Sequence, residues 1–276
     1  MRLFNLAGRL STFVDGVVVD VATASDNRFS PEPQRMFDDW QALASWGEST
    51  NARGPGEVDV QQLHAPVPRP PQVFAIGLNY KAHAQEGIFS VPDEPTVFTK
   101  WPTCIVGPSH AVEVPVDTDW EIELVVAISQ RAFRVGAADA MSYVAGYTVG
   151  QDLSDRVLQR KGPAPQWSLG KSRFGYGPTG PWLVTLDEFD NPHDLAIHST
   201  LAGETLQSSR TSMLIFDIPF LIEYVSALCP LLPGDLIFTG TPEGVGYARK
   251  PPRFLHPGDV LTSTIEGIGD LVTQFV

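Results

Sequence analysis

Twenty-four glycines and twenty-four prolines among 276 residues constrain this chain more than any other feature. Glycine opens backbone conformations closed to other residues, while proline fixes φ and removes an N–H donor, so helix interiors tolerate neither well. A chain this rich in both cannot be a helical bundle; it calls for many short strands joined by ordered loops. With 43% hydrophobic residues it has enough apolar material for one sizeable core. The expected class is α+β, mainly β.

The formal net charge is -13. A surface this acidic repels phosphate backbones and anionic lipid, which makes nucleic acid and membrane surfaces poor partners. It also repels an anionic substrate unless a local cation offsets it. Only Cys104 and Cys229 are present, too few for a disulfide framework, and both are expected as buried thiols in a reducing compartment. The first residues lack the apolar region of a signal peptide, and no apolar run approaches the ~18 residues of a membrane span. A soluble, cytoplasmic protein is expected.

Residues 1–70 read as a small front domain ending in a stiff connector, His64-Ala65-Pro66-Val67-Pro68-Arg69-Pro70-Pro71, and 71–276 as the main domain. The front section contains a hairpin turning at Asp15-Gly16. It also contains a helix over Met36–Trp46, with Met36, Trp40, Leu43 and Trp46 at helical spacing. In the main section, strands are expected at Val73–Gly77, Pro95–Lys100, Glu121–Ile128 and Ser142–Thr148. Two Pro-Gly-Asp turns, at 233–235 and 257–259, each launch another. Ile215–Leu228 reads as a core-facing helix entered through Pro219, with Ile215, Leu221, Ile222, Val225 and Leu228 on its inner side.

Chemistry concentrates in Asp119-Trp120-Glu121-Ile122-Glu123-Leu124-Val125-Val126-Ala127-Ile128. Strand alternation puts Glu121 and Glu123 on one face, about 7 Å apart along the backbone. At that spacing two carboxylates repel by about 2 kcal/mol at an effective dielectric near 20. A hard cation such as Mg²⁺, Mn²⁺ or Ca²⁺ removes the penalty; a solvated strand edge is the other reading of the pair. Asp152, just past the end of a probable strand, is placed to supply a third ligand from a second element. After Gly77 comes Asn79-Tyr80-Lys81-Ala82-His83-Ala84-Gln85-Glu86, where one helical turn would let His83 touch Glu86. That pair is either a surface ion pair or an oriented general base. No phosphate loop, nucleophile elbow or zinc-ligand pattern occurs.

These segments together resemble the fumarylacetoacetate hydrolase family. The resemblance runs from about Val73 to the C-terminus. It is carried by Gly77-Leu78-Asn79-Tyr80 with His83 and Glu86, Phe98-Thr99-Lys100, Glu121-Ile122-Glu123, Gly146-Tyr147-Thr148 and Asp152-Leu153-Ser154-Asp155-Arg156 with Gln159. Gly170-Lys171-Ser172, Gly180-Pro181-Trp182, Pro233-Gly234-Asp235 and Thr239-Gly240-Thr241-Pro242-Glu243-Gly244-Val245-Gly246 complete it. It implies a mixed β-sandwich roll with a small N-terminal domain, usually a homodimer. It further implies a divalent metal, Mg²⁺ or else Mn²⁺ or Ca²⁺, on Glu121, Glu123 and Asp152. His83 and Glu86 match a water-activating dyad, Lys171 a lysine beside metal and substrate, and Gln159 and Thr241 substrate contacts. Gln151 and Asp155 depart from the Asn and Ala common in the family, with an expected effect at the pocket rim.

The implied substrate is a small 2-oxo or 2,4-dioxo acid. Hydrolysis of a carbon–carbon bond in an acylpyruvate or fumarylpyruvate type of substrate is the reaction expected first. Oxaloacetate decarboxylation, isomerisation or tautomerisation of a 2-hydroxyhepta-2,4-diene-1,7-dioate, and a non-catalytic binding protein are the alternatives. Gly87–Glu94, with Pro92 and the apolar Ile88, Phe89 and Val91, reads either as an ordinary connecting loop or as a mobile lid whose closure carries the His83–Glu86 pair into working distance.

Overall fold

The strand Ile122–Ile128 is buried on both faces, and the molecule is layered around it. Ile122, Leu124, Val126 and Ile128 pack into one core with Ile197, Ile265 and Leu271; Val125 and Ala127 join another with Leu3, Leu43, Val73 and Phe238. Successive side chains of a strand point to opposite faces. A strand between two apolar layers is therefore apolar throughout, and the one exception here is Glu123.

In the computed structural model, which describes every residue except Ile88, Phe89 and Val116, this strand lies inside an eleven-stranded mixed sheet. The order across it is Val17–Asp20, Arg9–Val14, Arg2–Leu6, Gly177–Val184, Val144–Gln151, Ile122–Ile128, Leu236–Phe238, Val73–Gly77 and Thr96–Thr99. Leu63–His64 and Ile105–Val106 pair at its flanks. Leu236–Phe238 runs parallel to Val73–Gly77 and antiparallel to Ile122–Ile128, so segments far apart in sequence meet beside the central strand. A second, four-stranded antiparallel sheet comprises Glu204–Arg210, Ala196–Leu201, Val260–Ile265 and Gly269–Gln274. It shares the first core with the helix Ile218–Leu228. The mainly β, α+β class follows. Among the described residues no helix is long and apolar enough to cross a membrane.

Arg2–Leu6 pairs with Gly177–Val184, so one sheet runs through both the front section expected over 1–70 and the rest. The Asp15-Gly16 hairpin joins Arg9–Val14 to Val17–Asp20, and both Pro-Gly-Asp turns precede strands.

Three local expectations need correction. The continuous helix over Met36–Trp46 is instead a 3-10 turn, Pro33–Phe37, followed by a helix Trp40–Ser49. Asp39 divides them, because its carboxylate accepts from Ala42 N at 3.2 Å and caps the second segment. The later helix starts at Ile218, not Ile215: Asp217 accepts from Phe220 N at 2.9 Å, while Asn79 holds the backbone of Phe216 outside the helix. Leu228, at the helix end, is 76% exposed. Cys229 is only half-buried, whereas Cys104 is buried as expected. Asp217→Ala is expected to lower stability by about 1 kcal/mol, the usual worth of an N-cap; the midpoint of urea unfolding measures it.

A candidate metal centre and base

Register delivers the acids. Val144–Gln151 pairs with Ile122–Ile128 so that Gly150 opposes Glu123 and Gln151 opposes Ile122. A Cβ on Gly150 would lie 2.4 Å from Val125 and 2.7 Å from Phe238, so only glycine permits this approach. One residue beyond the strand, Asp152 N donates to Glu121 O at 2.9 Å. Oxygen atoms of Glu121, Glu123 and Asp152 then lie within 4.8 Å of one another, all three side chains buried. The solvated-edge reading of the glutamate pair falls with that burial.

Basic side chains surround this cluster. Lys171 Nζ donates to Glu121 Oε2 and to Asp152 Oδ2, each at 2.6 Å. Lys100, fully buried, donates to Asp152 Oδ1 at 2.8 Å and to the carbonyls of Tyr176, at 3.0 Å, and Lys171. Arg156 reaches Glu121 Oε1 at 2.7 Å, Asp119 Oδ2 at 2.8 Å and Gln159 Oε1 at 2.9 Å. Burial opposes the charge on Glu121, but Lys171 and Arg156 outweigh it and hold the carboxyl at about 2.

Glu123 differs. No ion pair reaches it among the described residues; Gly240 N alone donates to it, at 2.7 Å. Gly240 adopts φ +103°, a conformation that favours glycine. Burial pushes the Glu123 carboxyl well above the ordinary range, and the nearby charges of Asp152 and Glu121 push it further. A buried carboxyl with no ion-pair partner among the described residues, beside two others that offer hard oxygen donors, fits a divalent metal ion. Glu121, Glu123 and Asp152 would hold it.

The second constellation is preformed. Lys81–Glu86 is a short helix following the Val73–Gly77 strand, and His83 Nδ1 lies 2.8 Å from Glu86 Oε1. Glu86 Oε2 accepts from Gly244 N at 2.9 Å, which fixes the carboxylate. An ionised carboxylate can only accept, so Nδ1 carries the proton and Nε2 is left as the basic atom. His83 is buried, which excludes a surface ion pair. The pair is already made, so lid closure is not required to form it. Ile88 and Phe89 of that expected lid lie outside the described residues.

A cavity of about 150 Å³ joins the two constellations; His83, Glu121, Gln159, Lys171 and Thr241 all line it. Glu123 and Asp152 sit behind that lining. Thr241 Oγ1 donates to Ile122 O and accepts from Gln207 Nε2, both at 2.8 Å, so its hydroxyl is held by protein groups. Neither departure from the family pattern lies at the rim. Gln151 is buried, accepting from Glu121 N at 2.9 Å and donating to Ser263 Oγ at 2.8 Å. Asp155 caps the turn Arg156–Gln159 through Leu158 N at 2.8 Å and binds Arg173 at 2.7 Å.

Lys100, Asp119 and Arg156 are parts of the site that reading the residues one by one passed over. Arg156 and Gln159 stand three apart on one turn, a spacing that could have flagged the pair. Lys100 closes an otherwise ordinary strand and gave no local signal. Trp167, Arg160 and Tyr247 of the cavity wall gave none either.

Residues 72–276 match the family described as fumarylacetoacetate (FAA) hydrolase C-terminal. Oxaloacetate tautomerase FAHD2A, mitochondrial, from Bos taurus is 44% identical over 77% of this chain and 68% of its own. The crystal structure of a Mycobacterium smegmatis protein provisionally designated HpcE superposes with a TM-score of 0.94 at 47% identity, covering 100% of this chain and 99% of the other. Maleylpyruvate hydrolase from Sphingobium sp. SYK-6, crystallised with manganese(II) and pyruvate, has a TM-score of 0.80 at 27% identity over 100% and 99%.

Proposed function

The chain belongs to the fumarylacetoacetate hydrolase family, and from that premise we propose a divalent-metal-dependent enzyme that moves a proton on small 2-oxo carboxylic acids. The observation that carries this reading is the His83–Glu86 pair, already formed and facing the same cavity as Glu121 and Lys171. A divalent cation, Mg²⁺ or Mn²⁺, on Glu121, Glu123 and Asp152 would supply Lewis acidity toward a 2-oxo group and offset the site's negative charge.

The chain's own groups divide the remaining work. His83 Nε2 takes the proton from the carbon next to the 2-oxo group, and Glu86 stabilises the positive ring that results. Gly244 N and Glu86 keep the imidazole from turning away. Lys171 holds Glu121 and Asp152 in place and adds positive charge where an enol oxygen develops. Apolar Ile76, Leu78 and Phe98 on the wall limit bulk water around the reacting carbon.

Keto–enol tautomerisation of oxaloacetate needs only this transfer at carbon, in either direction, matched by gain or loss of a proton at the 2-oxygen with no other bond broken, and the 44% identical bovine relative supports placing it first. The second reading is hydrolysis of an acylpyruvate, in which His83 would deprotonate water. The buried histidine–carboxylate pair and the 27% identical maleylpyruvate hydrolase favour that reading. Mg²⁺-loaded protein should therefore be given oxaloacetate, acetylpyruvate and 2-hydroxyhepta-2,4-diene-1,7-dioate separately. Faster loss of the enol absorbance of oxaloacetate, with no CO₂ released, is the expected result. Release of pyruvate from acetylpyruvate at a higher rate would put hydrolysis first, and CO₂ from oxaloacetate would make the enzyme a decarboxylase. No turnover of any of the three would overturn the assignment to 2-oxo acid chemistry.

A further inference from the structure

We infer that Arg160 selects substrates carrying a second carboxylate, by pairing with it at the outer wall of the cavity. The inference rests on the 2-oxo acid reading above and names the residue that would read the far carboxylate of a dicarboxylate such as oxaloacetate.

Three lysine or arginine side chains line the cavity: Arg156, Arg160 and Lys171. Two are spent. Arg156 is shared among Asp119, Glu121 and Gln159, and Lys171 between Glu121 and Asp152. Arg160 has no acidic group within 4.0 Å among the described residues. In a chain of net charge -13, a cation left without an acid at the mouth of an anion-binding cavity is a site for the anion.

Arg160 is exposed, and its guanidinium lies over the ring of Tyr247. It follows the turn Arg156–Gln159, four residues on from Arg156, so the two side chains share one face. Their guanidinium carbons lie 4.6 Å and 4.5 Å from the centroid of the Tyr247 ring. Tyr247 is held in turn, its backbone N–H donating to Asp119 Oδ2 at 3.0 Å. Stacking on a ring occupies the face of a guanidinium and leaves its N–H edge free for a carboxylate. The 2-oxo carboxylate end of the substrate belongs at the Glu121 side, and Arg160 takes the far end. A monocarboxylate has nothing to offer it.

Two inert ligands with the same 2-oxo carboxylate head test this: oxamate, which lacks a distal carboxylate, and N-oxalylglycine, which has one. Calorimetry on the Mg²⁺-loaded protein gives the affinity of each for the parent and for Arg160→Met. Loss of one exposed charge-assisted pair should weaken N-oxalylglycine about tenfold and change oxamate by less than about twofold. Arg160→Lys should restore part of the loss, and Arg160→Met should raise the KM for oxaloacetate with little change in kcat. Equal weakening of both ligands would show that Arg160 merely shapes the cavity, and unchanged N-oxalylglycine affinity would show that it reads nothing; either overturns the inference. Failure of oxamate to bind the parent would instead remove the 2-oxo acid reading, and the inference with it.

Discussion

Glu123→Gln abolishes divalent-metal binding and leaves no measurable turnover, while the fold is retained: this is the largest effect expected. Removing an outer hydrogen-bonding partner of a metal ligand costs ~10–100-fold in affinity, and losing one of three carboxylate ligands costs more. The fold survives because glutamine keeps an oxygen to accept from Gly240 N, the one hydrogen bond Glu123 receives among the described residues. Metal-free stability moves the other way. The Glu123 carboxyl is raised above its ordinary value of 4.5, so the folded chain holds that proton more tightly than the unfolded chain. Stability from this group is present at low pH and is lost as pH climbs through the raised value. Glutamine removes that loss, so above pH 7 the metal-free variant should melt no lower than the metal-free parent. Metal analysis and thermal melts across pH decide the matter. Retained metal, or a variant that melts well below the parent without it, would show that Glu123 is a paired structural charge.

His83→Ala should lower turnover by ~10²–10⁴, the span expected for removing a general base. Metal content should not change, because His83 is no part of the carboxylate cluster and its Nδ1 is bonded to Glu86. The loss should fall on kcat at saturating substrate. Whichever 2-oxo acid proves to be turned over serves as the reporter. A variant working at the parental rate would place the proton transfer on another group, with Lys171 next in line by position.

Much of the fold was legible along the chain because strands and turns are local. Asp15-Gly16 and the two Pro-Gly-Asp turns need only their own backbone, and the Val-rich run Glu121–Ile128 reads as a strand, observed over Ile122–Ile128. Alternation likewise fixed that Glu121 and Glu123 share a side. Helix limits were less legible. Capping by Asp39 and Asp217 starts each helix later than the apolar periodicity announces, since a single side-chain hydrogen bond outweighs a weak repeat. The candidate ligand set and the candidate base were visible through the order of motifs over some two hundred residues. Their meaning was not, because a carboxylate pair reads the same on a wet edge as at a metal.

Tertiary structure decided what depends on contacts between distant residues. Lys100 and Asp152 are fifty-two positions apart, Arg156 and Asp119 thirty-seven, Glu86 and Gly244 one hundred and fifty-eight. No periodicity or turn signal reaches across such separations; strand register does, and a slip of one residue between Ile122–Ile128 and Val144–Gln151 would turn Asp152 away from the glutamates. Burial itself is also a tertiary property. Sequence determined which acids and bases this protein carries and on which side of a strand they stand. Packing alone decided that Arg156 and Lys171 neutralise acids and that, among the described residues, neither Glu123 nor Arg160 has an ion-pair partner, because a charge is paired or unpaired only by what the fold sets beside it.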